Sequence, residues 1–165
     1  IDHFKLVNDR YGHVAGDRAL KELGDLLKAS IRSVDVATRY GGEEFAIILP
    51  RTDLSQAAIL ANRIRDRVER TIFCHADGGI LLSISMGIAR IPHVKLSTVE
   101  EFVGMADTAL YAAKQAGRNR VVLASELDDE HGVASSPSIA VGAGEALEPA
   151  LAVREAKRST IIRER

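Results

Sequence analysis

Gly41-Gly42-Glu43-Glu44-Phe45 lies between two strand-like apolar runs, Val36 to Tyr40 and Phe45 to Leu49, so the chain is expected to reverse there with two adjacent carboxylates at the bend. Gly-Gly between strands reads as a tight type I′ hairpin turn, in which both glycines take positive φ and leave room for a ligand to approach the main chain. Consecutive residues entering a strand point to opposite faces, so Glu43 and Glu44 are expected to do different work: one can face a metal while the other faces something else.

Working outward, Ile1 to Phe4 read as the end of a strand. Asp17 to Ile31 place Leu20, Leu23, Leu27 and Ile31 on one helical stripe that should cover a sheet. Asp53 with Gln56 signals the start of a second helix, whose Leu54, Ala57, Ala61, Ile64 and Val68 recur every three or four residues, with Arg63 and Arg65 on its polar face. Ile72 to His75 and Ile80 to Ile91 flank the turn cluster Asp77-Gly78-Gly79, which predicts a second hairpin. In its longer strand Ile80, Leu82, Ile84, Met86 and Ile88 alternate with smaller or polar residues. Thr98 and Glu101 form a capping box ahead of a third helix with Phe102, Ala106, Ala109, Leu110 and Ala113 on its inward face. Gly117 is placed to end it, and Val121 to Leu123 supply a final strand. Strands interleaved with helices predict an α/β domain in which helices pack on a mixed central sheet.

The chain has 165 residues, enough for one domain plus a tail but cramped for two. Residues 1–124 form the expected domain. Beyond Ser125 the composition turns to Ala, Gly, Ser, Pro and Glu, so residues 125–165 are expected to be a flexible C-terminal tail in which Glu145 to Arg158 offer at most a marginal helix. A formal charge of −1 argues against an extended nucleic-acid binder, although one bound nucleotide needs only local charge. Cys74 is the single cysteine, which excludes an intrachain disulfide and reads as a small buried hydrophobe in a reduced, cytoplasmic compartment. No apolar run reaches the roughly 18 residues of a membrane span, and nothing at the start resembles a signal peptide. Ile1 opens the chain inside a motif and without an initiating Met, so a longer parent is expected, and its tethering to a membrane stays open.

Around the bend the chain also carries Asp2-His3-Phe4-Lys5, Asn8-Asp9, Gly12-His13, Gly16-Asp17, Arg32-Ser33-Val34-Asp35 and the run from Ala106-Asp107 through Lys114 to Gly117-Arg118-Asn119-Arg120. In this order and spacing these motifs resemble the GGDEF family of diguanylate cyclases, in the variant with Glu at the third signature position, over Ile1 to about Leu123. The resemblance implies the fold shared with class III nucleotidyl cyclases and polymerase palms. It also implies condensation of two GTP molecules into cyclic di-GMP with release of pyrophosphate, by a homodimer controlled from an upstream sensory domain.

Such chemistry piles negative charge on oxygen, which Mg²⁺ or Mn²⁺ held by carboxylates offsets. By the resemblance Glu43 ligates the metal together with the carbonyl of Ile1, while Glu44 activates or orients the attacking hydroxyl. Which glutamate takes the proton is left open. The family's other metal carboxylate precedes the position of Ile1, and Asp2 faces the wrong way to replace it, so the fragment alone is expected to be inactive. Asn8 and Asp17 match residues that read guanine, against plainer roles as a turn residue and a helix N-cap. Lys5, Lys114 and Arg118, with main-chain N–H groups near Phe4, match residues that hold the triphosphate, against helix-end capping for the last two. Arg32, Asp35 and Arg63 match the product-inhibition site for cyclic di-GMP, against an i, i+3 ion pair. His13 has no second ligand nearby and reads as structural.

An enzyme is one reading of this set. A non-functional fragment is another, for want of the strand and metal carboxylate before Ile1. A catalytically silent module that binds GTP or cyclic di-GMP is the third, and degenerate bend residues would favour it. None is present.

Overall fold

The computed structural model describes residues 1–74, 76, 78–90 and 98–124. Its elements are α1 (Phe4–Tyr11), α2 (His13–Ser30), β1 (Val36–Arg39), β2 (Phe45–Ile48), α3 (Leu54–Arg70), β3 (Ile72–Phe73), β4 (Ile80–Leu81), β5 (Met86–Ile88), α4 (Val99–Gln115) and β6 (Val121–Leu123). The tail and its marginal helix fall outside the described residues, as do His75, Asp77 and Ile91.

Strand pairing is mixed, as expected. β1 runs antiparallel to β2 with Arg39 opposite Phe45, β3 antiparallel to β4, and β5 parallel to β6 with Met86 opposite Val121. The parallel pair requires a long crossover, which α4 provides. These three pieces are tied together by the first two residues: the Ile1 amino group donates to the Glu43 carbonyl at 3.1 Å, and the Asp2 N–H donates to the Ser83 carbonyl at 2.9 Å.

The core fills the space between the helices and the strands. Leu23, Leu26 and Leu27 of α2 meet Ile64 and Val68 of α3 over Phe73, Ile80, Leu82 and Ile84. Cys74 is buried in the same cluster, as its small apolar character suggests. α3 begins where expected, with the Asp53 carboxylate accepting from the Gln56 N–H at 2.8 Å. α4 does too, with Thr98 Oγ1 accepting from the Glu101 N–H at 3.1 Å. Gly117 ends α4 at φ 108°, and the Arg118 N–H returns to the Ala113 carbonyl at 3.0 Å. α4 lies directly on β5 because Gly87 has no Cβ; one added there would collide with the backbone at Ala106 and Leu110.

Four expectations are corrected. Ile1 to Phe4 do not continue as a strand, because His3 turns left-handed at φ 54° and α1 starts at Phe4. The helix expected from Asp17 starts at His13, so Gly12 is its N-cap and Asp17 lies inside it rather than capping it. Ile80 to Ile91 is not one strand: after β4 the chain leaves its hairpin partner and joins β6 from Met86, although Ile80, Leu82 and Ile84 keep the buried alternation. Finally, neither Gly41 nor Gly42 has positive φ, because the bend spans Tyr40 to Glu44 and is no two-residue type I′ turn. No helix among the described residues is long and apolar enough to cross a membrane.

Candidate active site

The bend closes on itself through its backbone. The N–H groups of Tyr40 and Gly41 both donate to the Glu44 carbonyl, at 2.8 and 3.2 Å. On its outer side Arg39 reaches forward, with Nε 3.2 Å from the Gly41 carbonyl and Nη2 2.6 Å from that of Gly42. The glycines therefore serve by smallness rather than by handedness. A Cβ on Gly41 would sit 3.0 Å from Glu44 Oε2, so the Glu44 side chain folds back over the bend, while nothing stands within 4 Å of Gly42.

Glu43 is half-buried and Glu44 exposed. The Ile1 amino group feels both carboxylates and Lys114 of α4; burial lowers its pKa, against the opposing pull of Asp2 and Glu43. Asp107, also on α4, is the third acid at this end. Burial first, then the charge of Glu44, pushes its carboxyl up, and Lys114 partly offsets this. The Tyr40 hydroxyl is raised by burial and by the same two acids, Asp107 and Glu44.

Cations approach from two helix ends. The Phe4 and Lys5 N–H groups stand in the first turn of α1, where no helical carbonyl reaches them, and His3 provides no side-chain cap. Lys114 lies in the last turn of α4, and Arg118 lies just past it at φ 63°. A non-glycine residue in that region costs about 1–2 kcal/mol, so the turn is held from outside. The Asn119 N–H donates to the buried Asp2 carboxylate at 3.0 Å, and Arg120 Nε donates to the Arg118 carbonyl at 3.0 Å.

Gly16, the neighbour of Asp17 in α2, is buried against α1. A Cβ there would strike the Asn8 side-chain oxygen, so the Asn8 amide lies over this glycine. A groove of about 500 Å³ continues from Asp17 along Lys21 and Gly24 to Thr38, Arg39 and Phe45.

Arg32, Asp35 and Arg63 gather at the other end of α2. Asp35 Oδ2 accepts the Arg32 backbone N–H at 2.9 Å in a local turn, and the alternative i, i+3 ion pair between the two side chains is not seen among the described residues. Asp35 Oδ1 is buried without a hydrogen-bond partner among the described residues. Arg63 Nη2 crosses from α3 to the Ser30 carbonyl at 3.0 Å, and Arg67 reaches Ser30 Oγ at 3.0 Å. His13 is exposed at the start of α2, and among the described residues no three His, Cys, Asp or Glu side chains converge as a metal cage.

Asp107 and Asn119 lie in the motif run of the sequence, but no role follows from it for either, and Arg39 joins the site only through folding. The one local signal at Asn119 is that asparagine tolerates a left-handed backbone.

The acidic bend and the Lys114 end of α4 thus both lie beside Ile1, in an α/β domain of antiparallel and parallel strand pairs. The chain belongs to the GGDEF family: the profile described as diguanylate cyclase, GGDEF domain, matches residues 1–120. Diguanylate cyclase A of Treponema denticola is 44% identical over 123 residues, which cover 74% of this chain and 33% of that protein. The chain thus spans about a third of the length of the curated relatives it matches. Among solved structures, the GGDEF domain of DgcB from Caulobacter crescentus in complex with c-di-GMP is 37% identical with a TM-score of 0.67, over 76% of this chain and 74% of that one. The active GGEEF domain of a diguanylate cyclase from Vibrio cholerae is 36% identical with a TM-score of 0.67, over 74% of this chain and 77% of that one.

Proposed function

We propose that this chain is the catalytic domain of a cytoplasmic diguanylate cyclase that joins two GTP molecules into cyclic di-GMP and releases pyrophosphate, under an upstream sensory domain of its parent. The observation that carries the reading is the convergence of Ile1, Glu43, Glu44, Lys114 and the Arg118 turn at one end of the sheet.

In this reading Asn8 and Asp17 hold the guanine, an amide and a carboxylate suiting a base edge that offers both acceptors and donors. The Phe4 and Lys5 N–H groups, Lys5, Lys114 and Arg118 hold the triphosphate. Glu44 activates or orients the attacking 3′ hydroxyl from the exposed side of the bend. The donor set fits part of a divalent-cation site: Mg²⁺ is commonly bound through one or two carboxylates plus substrate phosphates and water, and Glu43 and the Ile1 carbonyl would supply one carboxylate and one carbonyl of that set. Mg²⁺ or Mn²⁺, when bound, supplies charge neutralisation at the phosphoryl oxygens. Each domain holds one GTP, so two copies face each other during turnover. Arg32, Asp35 and Arg63 bind the product and restrain the enzyme, with Arg32 offering both a fork for phosphate and a plane for guanine.

Incubation of the parent protein with GTP and Mg²⁺ should yield cyclic di-GMP and pyrophosphate, and Glu44→Gln in that protein should abolish synthesis while leaving thermal unfolding unchanged. Sustained synthesis by that variant would remove Glu44 from the chemistry. Nucleotide binding with no turnover in the parent protein would favour a silent binding module instead.

A further inference from the structure

We propose that Asn119 is a positioning residue for the nucleotide: clamped by Arg65 and Glu69 of α3, it fixes the left-handed turn that presents Arg118. This rests on the reading of Arg118 as a triphosphate contact.

Gly117, Arg118 and Asn119 have φ of 108°, 63° and 47°, three left-handed residues in succession between α4 and β6. Glycine and asparagine enter this region readily and arginine does not, so the backbone at Arg118 needs neighbours to hold it. Ending α4 requires only Gly117 and the bond from the Arg118 N–H to Ala113. Asn119 does more than that. Its Oδ1 accepts from Arg65 Nη1 at 3.1 Å, and its Nδ2 donates to Glu69 Oε1 at 2.7 Å. Arg65 can only donate and Glu69 can only accept, so the amide orientation is dictated. Arg65 Nη1 also donates to Glu69 Oε2 at 3.0 Å, which closes a three-residue ring between two distant segments.

The Asn119 backbone is tied at the same time to Asp2, beside Ile1. The turn is therefore fastened to α3 on one side and to the start of the chain on the other. The Arg118 guanidinium, by contrast, is engaged by no protein acceptor among the described residues. A backbone held this firmly beneath an uncommitted cation is the arrangement of a pre-organised contact, whose ordering cost is met before the ligand arrives.

The test measures GTP dissociation constants in Mg²⁺ by calorimetry, with thermal unfolding alongside, for Asn119→Gly, Arg118→Ala, the double variant and Glu69→Ala. Glycine keeps the left-handed backbone and the N–H to Asp2 while deleting the clamp. Asn119→Gly should weaken GTP about tenfold. In the Arg118→Ala background it should add about twofold or less, because the two residues act through one contact. Glu69 is exposed, so its loss threatens folding least, and Glu69→Ala should weaken GTP about threefold only while Arg118 is present. Additive losses, or unchanged affinity in Asn119→Gly and Glu69→Ala beside a weakened Arg118→Ala, would overturn the positioning role alone. Unchanged affinity in Arg118→Ala would overturn the phosphate contact and the positioning role with it.

Discussion

Ser85 Oγ lies 2.6 Å from Asp2 Oδ1 and donates to it across 83 positions of sequence. Ser83 Oγ and the Asn119 N–H complete the set at 2.8 and 3.0 Å on the other oxygen. Burial pushes this carboxyl up, but the bonds from Ser85, Ser83 and Asn119 outweigh it and hold the group below its ordinary value. Asp2 thus pins the chain start, the approach to β5 and the α4–β6 turn together. Asp2→Ala leaves three donors facing a gap and should cost about 3 kcal/mol, read as a lowered urea midpoint. A midpoint equal to that of the parent would show that water replaces the carboxylate without loss.

Asp53 offers a cleaner pH experiment, since it caps α3 and is not one of the candidate site residues. Hydrogen bonds from the Gln56 N–H and then the Ser55 hydroxyl lower its pKa below 3.8. A carboxylate lowered on folding stabilises the fold above its unfolded pKa, and that stability is lost as pH falls through the folded value. Asp53→Ala should therefore lower Tm at pH 7, and the gap from the parent should narrow as pH falls below about 4. A gap that stayed constant from pH 7 to pH 3 would argue against a charged cap.

Gly87 marks the tightest approach of α4 to the sheet, against the backbone of Ala106 and Leu110. Backbone cannot rotate out of the way as a side chain does. Gly87→Ala should destabilise by about 2 kcal/mol or more, measured by chemical denaturation. A neutral result would mean that α4 lifts freely, contrary to the packing described.

Gly16 behaves differently, because the atom its Cβ would meet is the movable end of Asn8. Gly16→Ala should leave Tm within a few degrees yet displace Asn8, weakening GTP about tenfold and narrowing its margin over ATP. Retained preference for GTP would separate Asn8 from guanine recognition.

Arg39 holds the carbonyls of Gly41 and Gly42 from outside the bend. Arg39→Ala should lower the rate of cyclic di-GMP synthesis about a hundredfold with little change in Tm, because loosening a catalytic turn by about an ångström misplaces its carboxylates. Unchanged turnover would show that the bend keeps its shape through the Glu44 carbonyl alone.

Element types were largely legible in the sequence because they depend on local signals. The capping pairs Asp53 with Gln56 and Thr98 with Glu101, the apolar period of α3, and the turn at Gly117 all act within a few residues, and each appears where expected. Misjudged boundaries have a common cause. At Ile1 to Phe4 and Ile80 to Ile91 strand character depends on a distant partner, which apolar alternation does not name. The handedness of the Gly41-Gly42 bend is not legible because glycine permits both signs of φ, and the longer bend selects the ordinary one.

The sequence by itself determined the motif positions, the helix caps and hence the family, since these follow from residue type and spacing. Only the tertiary structure decided that Asn8 lies on Gly16, that Arg39 grips the bend, and that Arg65, Glu69, Asn119 and Asp2 form one chain of contacts. Those relationships join residues tens of positions apart, and hydrogen bonds at 3 Å exist only once packing of the core has brought the segments together.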